Sequence, residues 1–161
     1  MNSTKVGFGY DIHRLVKGDN IILGGVSFKS NKKILAHSDG DIVLHSLSNA
    51  ILSSIGLNDI GTYFKDTSND TLNLDSKKIL SFALEKLEKE NYKINNIVIT
   101  IITQIPKINP IVNQLVDSIS KLLSVETKDV AIHAGTKEKL DSVGKGRAIE
   151  CYSVISIVKR G

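Results

Sequence analysis

KVGFGYDIH, residues 5–13, alternates Val6, Phe8, Tyr10 and Ile12 along one face. A period of two is the signature of a strand. Gly7 and Gly9 mark places where another piece of backbone can come close. Asp11 and His13 stand two apart, so in a strand a carboxylate and an imidazole project from the same face. Outward from this stretch, Ile21–Leu23 and Val26–Phe28 flank Gly24 and Gly25, a hairpin signal. Residues 29–36 read as a loop. Asp39–Ile55 reads as a helix, with Ile42, Leu44, His45, Leu47, Ile51, Leu52 and Ile55 in a broad apolar stripe and Gly56 as its stop.

Residues 57–74 form a long polar stretch, and a connection of that length in a compact domain is often functional. Asp75 can cap a second helix running to about Asn91, with Ile79, Leu80, Ala83 and Leu87 facing inward. Ile94–Thr103 is β-branched and reads as a strand. Pro106 and Pro110 bracket a loop, and Pro110 suits the first turn of a third helix capped by Asn109, with Ile111, Leu115, Ile119 and Leu122 inside. Val130–His133 and Ile149–Lys159 read as strands, joined by a Gly- and Lys-rich loop over 135–147. A strand–helix–strand crossover predicts an α/β two-layer sandwich: a mixed sheet with helices packed on one face. The whole chain, 1–161, reads as a single domain.

At 41% hydrophobic, the 161-residue chain can bury a core without disulfides, and its single cysteine, Cys151, forbids an intrachain bridge. Cys151 lies in an apolar run and reads as a buried structural thiol. The segment MNSTKVGFGY lacks the apolar centre of a signal peptide, and no apolar run approaches the ~20 residues of a membrane span. A net charge of +4 with lysines scattered among acids, 5% aromatics and no Trp gives neither the clustered charge nor the stacking platforms of a nucleic-acid binder. These features exclude nucleic-acid and membrane partners and point to the cytoplasm, with a plastid-type organelle after removal of a transit peptide as the alternative.

Several constellations can carry chemistry. Asp11 and His13, joined by His45 from the first helix, make a His/His/Asp donor set that leaves a fourth tetrahedral position open. Taken alone, Asp-x-His equally suits a surface or capping pair, and His45 a satisfied core histidine. Ala36-His37-Ser38-Asp39-Gly40-Asp41 leads into the helix of His45. It reads either as an N-cap or as a phosphate-binding helix start with His37 and Ser38 as extra donors. Asp59, Ile60, Gly61 and Asp66 lie in the long polar stretch. Thr103, Pro106 and Lys107 precede the third helix. Ala134, Gly135 and Thr136 follow a strand, where Gly and Thr can form a phosphate nest, and Glu138 can hold a hard cation.

In this order and spacing, GFGYDIH (7–13), ILGGV (22–26), LAHSDGDIVLH (35–45), DIGTYFKDT (59–67), QIPK (104–107) and TKEKL (136–140) resemble the 2-C-methyl-D-erythritol 2,4-cyclodiphosphate synthase family. These are the ring-closing enzymes of the non-mevalonate isoprenoid pathway, and the resemblance runs from about Val6 to the C-terminus. It implies a Zn²⁺ held by Asp11, His13 and His45, and a Mg²⁺ or Mn²⁺ near Glu138 that bridges the diphosphate. It implies catalytic roles for His37, Thr136 and Glu138. For the cytidine diphosphate substrate it implies that His37 and Ser38 cover the methylerythritol phosphate end and that Asp59, Ile60, Gly61 and Asp66 line the erythritol moiety, with Thr103, Pro106 and Lys107 enclosing cytosine from a neighbouring subunit of a homotrimer. Ala134, Gly135 and Thr136 are implied to hold phosphate. The chain departs from the family at Gly135, where a threonine is common, and at Ser142, Lys145 and Arg147, which replace an aromatic, an Arg and a Glu near the trimer's central channel. A zinc phosphohydrolase and a non-catalytic metal- or nucleotide-binding trimer are the competing readings.

Overall fold

In the computed structural model, residues 4–161 are described; Met1–Ser3, the start of the segment without a signal-peptide centre, lie outside them. The strands are β1 (Thr4–Lys17), β2 (Asn20–Leu23), β3 (Val26–Lys29), β4 (Lys32–Leu35), β5 (Tyr92–Ile102), β6 (Val130–Gly135) and β7 (Ala148–Lys159). The helices are α1 (Ile42–Ser54), α2 (Ile60–Tyr63), α3 (Ser76–Lys89), α4 (Val112–Leu123) and α5 (Asp141–Gly144). Five strands form one mixed sheet in the order β4-β1-β7-β5-β6, and β2 pairs with β3 in a separate hairpin. Only β5 and β6 run parallel, joined through α4 by the expected crossover. Helices α1, α3 and α4 pack on the sheet, and Leu44, Leu47, Ile51, Leu80, Ile99, Ile119 and Ile155 meet in the core between the layers.

Three local expectations are corrected. Residues 29–36 are not all loop, because β1 extends past His13 to Lys17 and its last four residues pair with β4. The first helix begins at Ile42 rather than Asp39. Asp41 is its N-cap, accepting from Leu44 N–H at 3.1 Å and also from Gly24 and Gly25 N–H at 2.9 and 2.6 Å, which ties the hairpin to α1. Asn109 caps nothing: Asn109–Ile111 is a 3₁₀ turn with Pro110 early in it, and α4 starts at Val112 without a side-chain cap. Within α4, Leu123 is buried, while Leu122 packs at the core's margin.

The glycines of β1 have a specific purpose. A Cβ on Gly7 would stand 1.9 Å from Ala50 O, and one on Gly9 1.8 Å from Ser46 O. The backbone of α1 therefore lies directly on β1. On β7 the neighbours are also small: Gly9 pairs with Ser153 and Asp11 with Cys151. Ser46 Oγ lies 2.7 Å from Ser153 Oγ and donates to Cys151 Sγ at 3.1 Å. Ser53 closes the free edge of β1, accepting from Phe8 N–H at 3.0 Å and donating to Phe8 C=O at 2.9 Å. The apolar residues of the opening stretch face the other way. Val6 is 65% exposed and Phe8 54%, on the side of the sheet that carries no helix.

Gly9→Ala is expected to destabilise the protein by about 3 kcal/mol, because α1 must lift from the sheet, and a urea unfolding midpoint measures it. Cys151 is fully buried, and burial raises its thiol pKa to about 12. A colorimetric thiol reagent should therefore leave the native protein unmodified and react fully once it is denatured.

Candidate active site and metal centre

Past the glycine contact, the same face of β1 presents Asp11 and His13, and α1 presents His45 above them. His13 Nδ1 and His45 Nδ1 each lie 3.2 Å from Asp11 Oδ2. One donor atom from each residue falls within 4.8 Å of the other two, the only such cluster of three among the described residues. His13 Nδ1 is close to the carboxylate yet not aligned for a hydrogen bond, so it is a buried nitrogen without a partner. A buried, unpaired donor atom is costly unless something else fills its lone pair. Two imidazoles and a carboxylate converging on one point therefore fit a metal ion. Asp11 is oriented through its other oxygen, which accepts from Ile12 N–H at 2.9 Å. Burial disfavours its charge, but the neighbouring His13 and His45 imidazoles outweigh this and hold its pKa below the ordinary value.

The cluster opens into a cavity of about 200 Å³ that also takes in Ala36, His37, Ser38, Ile60, Gly61, Phe64 and Asp66. Five residues of the implied erythritol-binding set thus share one space with the metal donors: His37, Ser38, Ile60, Gly61 and Asp66. His37 is steered by its Nε2, 3.0 Å from Ser68 C=O. Asp59 does not line the cavity. It caps α2, accepting from Thr62 N–H at 3.2 Å and Thr62 Oγ1 at 2.9 Å. Asn49 of α1 accepts from Ile60 N–H at 2.8 Å and pins α2 beside the cavity. Asn49 is the one amide in α1, whose other polar residues are His45 and four serines, and that was the available signal.

The remaining candidates lie elsewhere. Thr103, Lys107, Ala134, Gly135 and Thr136 line a second cavity of about 280 Å³ at the ends of β5 and β6, while Pro106 follows a cis bond beside it. This is the opposite side of the sheet's strand order from β1. Glu138 lies just beyond in a loop where Glu138, Lys139 and Asp141 all have positive φ (50°, 62° and 50°). Such conformations are costly for residues with a Cβ and collect at functional loops. The loop is tethered: Lys137 Nζ lies 3.2 Å from Glu150 and 3.7 Å from Asp141, and the bond to Glu150 raises the Lys137 pKa. Glu150 is buried on β7, and the Tyr10 and Tyr152 hydroxyls donate to it at 3.4 Å each. A lone acid inside an apolar strand was the overlooked signal here. Arg147 and Ser142 line a third cavity with Arg14, at the far end of β1.

The fold and site together define a mixed α/β protein with a candidate metal-binding cluster between a sheet and its covering helix, and solved structures share the fold throughout. The Plasmodium falciparum IspF structure with CDP superposes with a TM-score of 0.88 at 35% identity, covering 100% of this chain and 99% of that one. The bifunctional IspDF of Campylobacter jejuni gives a TM-score of 0.94 at 29% identity, covering 99% of this chain and 43% of that one. A 2-C-methyl-D-erythritol 2,4-cyclodiphosphate synthase of Clostridium perfringens is 40% identical over 155 residues, 96% of this chain and 99% of that protein. The YgbB family matches residues 4–158, and the chain belongs to that family.

His13→Ala and His45→Ala should each remove bound divalent metal from protein passed through gel filtration, as elemental analysis would show, while far-ultraviolet circular dichroism stays that of the parent.

Proposed function

We propose that this chain, as a single catalytic domain over residues 1–161, converts 4-diphosphocytidyl-2-C-methyl-D-erythritol 2-phosphate to 2-C-methyl-D-erythritol 2,4-cyclodiphosphate and CMP in the cytoplasm. The observation that carries this is the Asp11/His13/His45 cluster opening into a cavity that already holds His37, Ser38 and Asp66. The 2-phosphate oxygen of the substrate forms a bond to the β-phosphorus. The bond from that phosphorus to the oxygen bridging the α-phosphate breaks, and its electron pair leaves with CMP. Both nucleophile and leaving group belong to the substrate, so the protein supplies alignment and charge neutralisation rather than a nucleophile. When bound, Zn²⁺ at Asp11, His13 and His45 and Mg²⁺ or Mn²⁺ near Glu138 supply Lewis-acid polarisation of the diphosphate oxygens.

The chain's own residues do the rest. Ser38 and His37 offer donors to the methylerythritol phosphate end. Asp66 accepts from its hydroxyls, and Ile60 and Gly61 shape the wall; Asp59 acts indirectly, by holding α2. Thr136 and the backbone N–H groups beyond Gly135 hold the departing phosphate. Thr103, Pro106 and Lys107 enclose the cytidine end.

The two cavities share no residue, the first lined from β1 and α1 and the second at the ends of β5 and β6, which supports a site completed by a second copy. The assembly proposed is a homotrimer, with each site built from the first cavity of one copy and the second of its neighbour. The uncovered face carrying Val6, Phe8, Ile12 and Val154 supports that assembly, since an apolar patch of this kind marks an interface.

Phosphorus NMR on the protein with this substrate, Zn²⁺ and Mg²⁺ is expected to show a cyclic diphosphate and CMP, and neither after chelation. Inorganic phosphate in their place would make the protein a hydrolase. No turnover with metal retained would make it a binding protein.

A further inference from the structure

His45 has a second set of partners on the side away from Asp11. Its Nε2 lies 2.8 Å from Ser76 Oγ, with Ser38 Oγ farther off at 3.3 Å. Ser76 is completely buried at the start of α3. Its hydroxyl donates to Asp39 Oδ1, and its N–H donates to Asp39 Oδ2 at 3.0 Å. Asp39 is itself fixed, accepting from Asp41 N–H at 3.1 Å, while its own N–H donates to Leu74 C=O at 3.1 Å.

Proton accounting then decides the state of the imidazole. A serine hydroxyl has one proton, and here the carboxylate takes it. Towards His45 the Ser76 oxygen can only accept, so Nε2 must carry hydrogen. Held there, the ring turns its other nitrogen, Nδ1, to the point shared with Asp11 and His13, 3.2 Å from Asp11 Oδ2, where a metal would take its lone pair.

We propose that Asp39 and Ser76 are positioning residues for the metal centre, a carboxylate–hydroxyl relay that holds His45 in the tautomer and orientation a metal requires. The inference rests on the metal reading of Asp11, His13 and His45. It also gives Asp39 a purpose that a phosphate-facing helix start does not, since a carboxylate there would repel phosphate. Partners behind a ligand histidine commonly change metal affinity ten- to hundredfold, about the size expected here.

The test is zinc affinity, measured on the full chain by competition with a chromophoric chelator. Ser76→Ala should weaken zinc binding by roughly ten- to hundredfold. Asp39→Asn should weaken it in the same direction. The double variant should bind no more weakly than Ser76→Ala, because Asp39 reaches His45 only through Ser76. Ser76→Thr, which keeps the hydroxyl, should retain the parent's affinity, and the Ala/Thr pair decides the matter even if Asp39→Asn does not fold. Additive losses would overturn the relay. So would an unchanged zinc affinity together with a lower melting temperature of the metal-free variants, which would reduce Asp39 and Ser76 to a clasp on α3. His45→Ala separates the two levels: if the parent binds zinc no better than His45→Ala, the metal reading fails and the relay with it. If the parent binds well and all relay variants match it, the relay alone fails.

Discussion

The backbone of α1 rests on β1 with no side chain between them, because Gly7 and Gly9 present hydrogen where any other residue would strike the helix carbonyls of Ala50 and Ser46. Small groups continue the seam on both sides, with Ser46 bonded to Ser153 and Cys151 of the neighbouring strand. This spacing sets the height of α1 above the sheet. The residue just before Ser46 in the helix is His45, and two residues beyond Gly9 along the strand is Asp11. The helix and the strand can share a metal only if their backbones are this close, so the chemistry of the cluster depends on packing that involves none of its members.

The sheet divides the remaining tasks by its edges. Towards β1 it carries the metal donors and the loop of His37 and Ser38. Towards β6 it carries Thr103, Lys107 and Thr136, with the strained loop of Glu138 held down through Lys137 and the buried Glu150. Strand β7 stands between β1 and the β5–β6 pair that carries the second group, and on the proposed reading a second copy brings the two groups together. The face opposite the helices has what such an assembly needs: Phe8 and Tyr10 each form a tilted ring pair with Tyr152 there, centroids 6.3 and 4.9 Å apart, and no helix covers them.

Much of the architecture was legible in the chain. The period of two in residues 5–13, the stripe of α1, the cap at Asp75 and the β-branched run of β5 are local signals, and each produced the element it predicts. Failures came where local preference is weak. Lys32–Leu35 is too short and too charged to announce a strand; it becomes one only because the end of β1 offers it a partner. Asn109 is a good cap by type, but Pro110 tightened the turn into a 3₁₀ and moved the helix start beyond it.

By itself, the sequence determined the elements, the donor types and, through its motifs, the family, because backbone preference and side-chain chemistry belong to residues and their near neighbours. Only the tertiary structure decided which face of β1 is covered, that Asp39 serves Ser76 and His45 rather than a ligand, and that Glu150 holds the loop of Lys137. The Asp39–Ser76–His45 meeting joins residues 31 or 37 positions apart. The Lys137–Glu150 pair joins a loop to a strand across the sheet's uncovered face. No local rule encodes such meetings; they are fixed by the close approach of helix and sheet that two glycines allow.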